Sequence, residues 1–285
     1  MRFSVIVVCL NPGGKLKDTL DSILGQTCRD FEVIIKDGGS TDGSVEPWRK
    51  STGTDGSVEP EGRSMESGGA KVRFFQEKDT GIYDAMNQAV SRAEGEFVLF
   101  MNCGDAFYSG EVLERTKVFI EAQEAAGVNP DRLVLYGDIY NRKVGARVAS
   151  APAITGFTCY RNIPCHQSCI YSTALCREKP FDQQYRIRAD YDHFLWCFYR
   201  AGVRFVNMGF PVASYEGGGY SESKENKKRN KQEHRLITET YMGKGELFRY
   251  RAVMACTLAP LRSAMAESRV FSGVYHWLKG RMYRR

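Results

Sequence analysis

Val5-Ile6-Val7-Val8-Cys9-Leu10, following Phe3-Ser4, is an unbroken apolar run that stops at Asn11-Pro12-Gly13-Gly14. Leu16, Leu20, Ile23 and Leu24 then recur at helical spacing, and Phe31-Glu32-Val33-Ile34-Ile35, apolar apart from Glu32, gives another strand. Apolar runs without alternation suit strands covered on both faces, so this is a β-α-β opening. Outward from it the pattern predicts strands at 72–76, 97–101, 133–140, 168–171, 204–208 and 211–215. Helices are predicted at 81–93, 110–126 and from about 189 to 201, with Ile82, Met86, Ala89 and Val90 turned inward in the first of these. Alternating strands and helices imply an α/β fold with a mostly parallel mixed sheet and helices on both faces. Between Asp37 and Gly69 the chain is Gly-, Ser-, Pro- and Glu-rich, and Thr-Asp-Gly-Ser-Val-Glu-Pro occurs twice, at 41–47 and 54–60. Seven residues are too few for a repeating structural unit, so this reads as a lengthened surface loop.

The chain has 285 residues, 42% of them apolar, with 12% aromatic residues, which is enough for a sizeable core and excludes a disordered or fibrous class. No apolar run approaches the ~18 to 20 residues of a membrane span. The N-terminus reads as a first strand and not a secretory signal. Nine scattered cysteines without a C-x2-C pair suit reduced thiols and a cytoplasmic setting. Of the net charge of +6, residues 241–285 carry +7, from nine Lys or Arg against Glu246 and Glu267, leaving −1 for the rest. Val270, Phe271, Val274, Tyr275, Trp277 and Leu278 lie among Arg269, Lys279, Arg281, Arg284 and Arg285. That mixture favours an anionic membrane surface over nucleic acid, with a solvated tail or packing on the body as the competing readings. We expect a body at 1–221 and a basic helical appendage at 222–285.

Open α/β sheets bind ligands beyond the carboxyl ends of their strands. Asp37, Asp79 and Asp105 all fall there, at the ends of the second, third and fourth predicted strands. Asn11-Pro12-Gly13-Gly14-Lys15 has neither the G-x-G-x-x-G nor the G-x4-G-K-[ST] spacing, so no glycine cradle awaits a pyrophosphate. A divalent cation on Asp105, Mn²⁺ or Mg²⁺, is the more plausible neutraliser, because such ions are held by few carboxylates together with substrate phosphates. Cys165 and Cys169 form a C-x3-C pair around His166, but structural zinc takes a second such pair.

Further motifs run in a specific order: Ser22-Ile23-Leu24-Gly25-Gln26-Thr27, Asp37-Gly38-Gly39-Ser40-Thr41-Asp42-Gly43, Glu77-Lys78-Asp79-Thr80-Gly81-Ile82-Tyr83-Asp84-Ala85-Met86-Asn87, Asn102-Cys103-Gly104-Asp105, His166-Gln167 and Ala189-Asp190-Tyr191-Asp192. Residues 3 to about 221 thereby resemble the inverting family-two glycosyltransferases with the GT-A fold. The form of the 77–87 segment, with Asn-x-Gly-Asp in place of Asp-x-Asp, looks most like the colanic-acid and amylovoran type. By that resemblance Asp37 meets the nucleotide base, usually uracil, and Asn11, Asp79 and Asn87 line the nucleoside pocket. His166 and Gln167 stand beside donor or acceptor, and Asp105 carries the metal with Gly104 where relatives have a carboxylate. Asp190 matches the general base, with Asp192, about 200° round the helix, ranked second. The implied partners are a nucleoside-diphosphate sugar and a glycan or lipid-linked acceptor of surface polysaccharide assembly. Gly217-Gly218-Gly219-Tyr220-Ser221 resembles the loop that closes over the donor. Gln232-Glu233-His234-Arg235-Leu236 echoes the Gln-x-x-Arg-Trp motif of processive relatives, an echo read here as chance. Two rivals stand beside this reading: a nucleotidyltransferase, and a non-catalytic sugar-nucleotide-binding or scaffold protein of the same fold.

Overall fold

The computed structural model describes residues 1–51, 63–67, 69–217 and 226–256, together with Trp277 and Arg281. The second heptapeptide copy, most of the 217–221 glycine loop and the tail from 258, save those two residues, lie outside the described residues.

The opening folds as read, with β1 (Phe3–Cys9), α1 (Lys15–Leu24) and β2 (Phe31–Asp37). β1 pairs in parallel with β2, and both strands are buried along their whole length. Alternation across β1 splits the core: Phe3, Val5 and Val7 join Leu16, Leu20 and Ile23 on one face, while Ile6 and Val8 face the other. α2 (Glu46–Ser51) and β3 (Arg63–Ser67) interrupt the stretch expected to be loop throughout, and Val45 is buried there. β3 turns back antiparallel on β4 (Ala70–Gln76), which pairs in parallel with β2.

α3 (Ile82–Arg92) buries Met86, Ala89 and Val90, but Ile82, expected inside, is 40% exposed at the helix start. β5 (Phe97–Phe100) lies beside β1 in parallel and ends at the Asn102–Asp105 turn. β6 (Ala106–Phe107) and α4 (Val112–Ala125) lead to β7 (Leu133–Asn141), β8 (Ala146–Val148) and α5 (Gly156–Arg161). A single 3-10 turn at His166–Ser168 precedes β9 (Cys169–Ser172), α6 (Thr173–Glu178) and α7 (Ala189–Tyr199). The two strands expected between 204 and 215 are one, β10 (Arg204–Tyr215), whose register against β7 shifts between Asn207 and Ala213. The sheet order is β3-β4-β2-β1-β5-β9-β7-β10-β6, with β8 against β7. Its long pairings are parallel, and β9 enters antiparallel between β5 and β7.

α8 (Asn226–Tyr241) and α9 (Lys244–Cys256) follow. Ile237, Met242, Leu247 and Tyr250 are buried in the same cluster as Phe194 and Leu195 of α7, so these helices share the second core. Among the described residues no helix is long and apolar enough to cross a membrane.

Candidate active site

The carboxyl ends of β1, β2, β4 and β5 form one rim, and the first acid on it is turned inward. Asp37 is fully buried and accepts from the Gly39 and Ser40 amides, the Ser40 hydroxyl and the Gln76 side-chain amide, the last at 2.7 Å. Asn11 crosses to the same turn: its Oδ1 accepts from the Thr41 amide at 2.8 Å, and its own amide donates to the Ser40 hydroxyl. Asn11 holds φ +49°, a left-handed conformation that Asn tolerates because its short polar side chain bonds locally. Asp79 Oδ2 accepts from the Nζ of Lys36 at 2.8 Å, and Lys36, fully buried in β2, also donates to the Glu77 carbonyl. An unpaired ammonium there would be prohibitive, so Asp79 is fixed as its counter-ion. A Cβ at Gly38 would lie 2.7 Å from Asp79 Oδ2, which explains the glycine.

Asp105 lies further along the rim, 4% exposed. Its Oδ2 accepts from the Gln167 side chain at 2.9 Å and its Oδ1 from the Glu216 amide at 2.8 Å. Burial raises its pKa above the ordinary carboxylate value, and those two donors oppose the shift. Gly104 has φ +98°, and a Cβ there would meet Glu216 Oε2 at 2.6 Å. Glu216 thus occupies the space a side chain at position 104 would need, and it pairs with Lys15 at 2.6 Å, while the Arg142 guanidinium donates to the Gly104 carbonyl. Among the described residues no group of three His, Cys, Asp or Glu side chains converges as a metal site.

The third cluster forms around the first turn of α7. Asp190 is half-buried, and the Tyr83 hydroxyl lies 2.8 Å from its Oδ1 and 2.8 Å from the Ile187 carbonyl. Tyr83 has one proton to give, and the charged acceptor is the stronger partner. Asp192, ranked second, is spent on structure: it is buried, takes the Nζ of Lys179 at 2.6 Å and accepts from the Tyr241 hydroxyl at 3.1 Å. His166 stacks on Phe100 with ring centroids 4.9 Å apart, and among the described residues both its buried ring nitrogens are without a partner. Burial lowers its pKa, against the pull of the Asp190 charge, so the ring is held neutral. Its neighbour Gln167 reaches Asp105, so the 3-10 turn at His166–Ser168 connects the Asp105 end of the site with the Asp190 end. Asn87, expected in the nucleoside pocket, exchanges both its amide groups with the backbone of Phe181, at 2.8 and 2.9 Å, and Phe181 packs edge-on against His166.

Four residues of this site went unassigned in the sequence reading: Tyr83, Glu216, Lys36 and Glu233. Tyr83 was within the quoted 77–87 motif, on the same helical face as Met86 and Val90. Glu233, 5% exposed on α8, accepts from three consecutive amides, Arg186, Ile187 and Arg188, each at 3.0 Å. It fixes the backbone that enters α7 two residues before Asp190. Glu233 stands at a position the Gln-x-x-Arg-Trp pattern leaves free, so this contact owes nothing to that echo.

The family model Glycosyl transferase family 2 matches residues 4–185. The chain is 35% identical over 223 residues to the PGL/p-HBAD biosynthesis glycosyltransferase of Mycobacterium bovis (strain BCG / Pasteur 1173P2), covering 78% of this chain and 79% of that one. The Mycobacterium tuberculosis (strain ATCC 25177 / H37Ra) protein of the same name matches equally. Among solved structures, S. aureus TarS 1-349 in complex with UDP-GlcNAc superposes with a TM-score of 0.59 at 21% identity, covering 84% of this chain and 66% of that one. The chain spans 39% of the longer TarS chain. Mannosyltransferase PcManGT from Pyrobaculum calidifontis, in complex with GDP-Man and Mn2+, superposes with a TM-score of 0.58 at 17% identity, covering 99% of this chain and 84% of that one. These two likenesses show the fold, and the family match together with the mycobacterial relatives shows that this chain is a glycosyltransferase belonging to family 2.

Proposed function

We propose that the protein transfers one sugar from a UDP-linked donor to a glycan or lipid-linked acceptor of surface-polysaccharide assembly, with inversion at the anomeric carbon. The observation that carries this reading is the α7 cluster: a half-buried carboxylate, Asp190, held by Tyr83 beside an imidazole with two unfilled hydrogen-bonding positions. A general base needs a carboxylate within hydrogen-bond reach of the hydroxyl it deprotonates. Asp190 removes the proton from an acceptor hydroxyl, the oxygen attacks the anomeric carbon, and the bond to the diphosphate breaks on the opposite face. His166 orients a sugar hydroxyl through the nitrogens that lack protein partners. Leaving those groups unpaired costs about 1 to 3 kcal/mol, which a bound hydroxyl recovers.

Asn11 and Asp79 line the nucleoside side. Asp37 acts on the base through the turn it organises, and Asn87 acts at one remove by fixing Phe181. A hard divalent cation, Mn²⁺ or Mg²⁺, fits Asp105 with Glu216 alongside, since each Asp105 oxygen has only one protein donor. Bound there, it would supply neutralising charge for the diphosphate leaving group. Gln167 keeps Asp105 oriented, and Lys15 and Arg142 add fixed positive charge beside it. The site works in the cytoplasm at the inner face of the membrane, with the basic tail as a peripheral anchor. In support, Trp277 is 60% exposed with the Arg281 guanidinium 5.5 Å from its ring. The colanic-acid and amylovoran grouping rests on the 77–87 segment, whereas the mycobacterial relatives are named for PGL/p-HBAD biosynthesis.

The test is a panel of UDP- and GDP-sugars, with and without Mn²⁺, on the parent and on Asp190→Asn. One donor should be turned over by the parent and still bind the variant, with turnover reduced by about a thousandfold. If no nucleotide sugar binds the parent under either condition, the reading fails.

A further inference from the structure

Arg188, Lys227, Asn230, Lys231 and His234 line a groove of about 350 Å³ between the start of α7 and the first turns of α8. None of these residues takes part in the rim around Asp37, Asp79 and Asp105, yet Arg188 stands two residues before Asp190. A base must touch the acceptor, so a groove beside it and apart from the donor rim lies on the acceptor's side. Its charge is strongly one-sided. The first turns of α8 carry Lys227, Lys228, Arg229 and Lys231 and no acid, where the helix dipole already favours negative charge. The α8 acids are committed elsewhere: Glu233 mainly to three backbone amides, and Glu239 to Arg235 and Arg251. Arg188 is held for use, its Nε on Asn230 and its guanidinium 5.2 Å over the Tyr191 ring, which stacks on His234. His234 stays neutral, its pKa lowered by burial and then by Arg188, while its Nε2 faces the Tyr160 carbonyl at 2.9 Å.

We infer that this groove binds a phosphate or diphosphate group carried by the acceptor. One guanidinium and two ammonium groups around one concavity exceed what a single carboxylate would balance, and the planar fork of Arg beside Lys point charges is phosphate-recognition chemistry. The inference rests on the glycosyltransferase reading for the word acceptor; the anion site itself does not.

The experiment titrates inorganic pyrophosphate into the full chain by calorimetry, with saturating UDP present so that donor-side phosphate contacts are already filled. Lys227→Glu/Lys231→Glu should weaken pyrophosphate binding by about tenfold or more, while Lys117→Glu on α4, a charge reversal outside the groove, should leave it unchanged. Both lysines are exposed, and thermal melts confirm that the variants fold. Co-sedimentation with phosphatidylcholine vesicles, with and without phosphatidic acid, then identifies the source. Phosphatidic-acid-dependent vesicle binding that pyrophosphate competes away in the parent and the double variant lacks assigns a lipid-borne phosphate, and loss of pyrophosphate binding with no competable vesicle binding in the parent assigns a soluble one, so that binding through the basic tail does not enter the comparison. Pyrophosphate binding that is absent in the parent, or equal in parent and double variant, overturns the inference. A parallel UDP titration of the parent reports on the donor reading alone: no UDP binding sinks that reading, and pyrophosphate titrated without UDP still tests the groove.

Discussion

Asp37 accepts from two backbone amides, a hydroxyl and a side-chain amide, whereas His166, less enclosed as a residue but with both ring nitrogens buried, has no partner on either nitrogen among the described residues. The same contrast separates the two regions they belong to. On the rim, Asp79 is neutralised by buried Lys36, and Asp105 is held in orientation by one protein donor on each oxygen. Beside α7, Asp190 has one side-chain donor among the described residues and stays partly exposed. A saturated carboxylate holds shape, and an unsaturated group waits for a ligand. The rim is thus a preformed cradle, while the α7 cluster has hydrogen-bonding capacity left for a reacting hydroxyl.

Asp190 and Asp192 put that contrast within one helical turn. Asp190→Asn should lower transfer by about a thousandfold, near 4 kcal/mol on the barrier, with melting unchanged. Asp192→Ala should do the reverse: removing it strands Lys179 and the Tyr241 hydroxyl, costing about 3 kcal/mol of stability in urea unfolding, with turnover per folded molecule retained. If Asp192→Ala removes turnover and leaves stability alone, the two roles are exchanged.

Glu233 tests whether the reactive region borrows its order from α8. Glu233→Ala frees three amides and should cost about 3 kcal/mol in urea unfolding. Steady-state kinetics should show kcat falling while the donor KM holds, because the displaced segment carries Asp190 and not the rim. Tyr83→Phe is smaller: losing one hydroxyl donor to Asp190 should lower kcat by about tenfold at unchanged donor KM. A change confined to KM would place Tyr83 on the donor instead.

The β-α-β opening was legible because β1 and β2 are buried on both faces and so carry no polar alternation. β3 was not, since its apolar content is one methionine and it is defined by pairing with β4. β10 read as two strands because Gly209-Phe210-Pro211 looks like a break, and the sheet absorbs it as a register shift. In the site, the rim acids were readable from their places at strand ends. Glu216 was not, since its contact with Asp105 spans 111 residues and is made by a backbone amide, which leaves no residue-type signal. Lys36 looked like an ordinary lysine at a strand end until Asp79 supplied its counter-ion.

Asp105 gives the smallest effect on stability and the sharpest test of the rim as a preformed cradle. Burial raises its pKa, so the folded chain holds this proton more tightly than the unfolded chain does. Its contribution to stability is therefore fully present below the unfolded carboxylate value and is lost as pH rises through the raised folded value. At neutral pH the parent carries a buried charge offset by two donors, and Asp105→Asn removes that charge while Gln167 can turn its amide to stay bonded. The variant should be the more stable by about 1 kcal/mol near neutrality, and the gap should close as pH falls through the folded value. Thermal melts across that range check the sign. A gain in stability together with loss of transfer means that the fold tolerates a destabilising charge because the reaction uses it. A loss of stability at neutral pH would instead make Asp105 a structural tie for Glu216, and the contrast between the two regions would then extend to every acid on the rim.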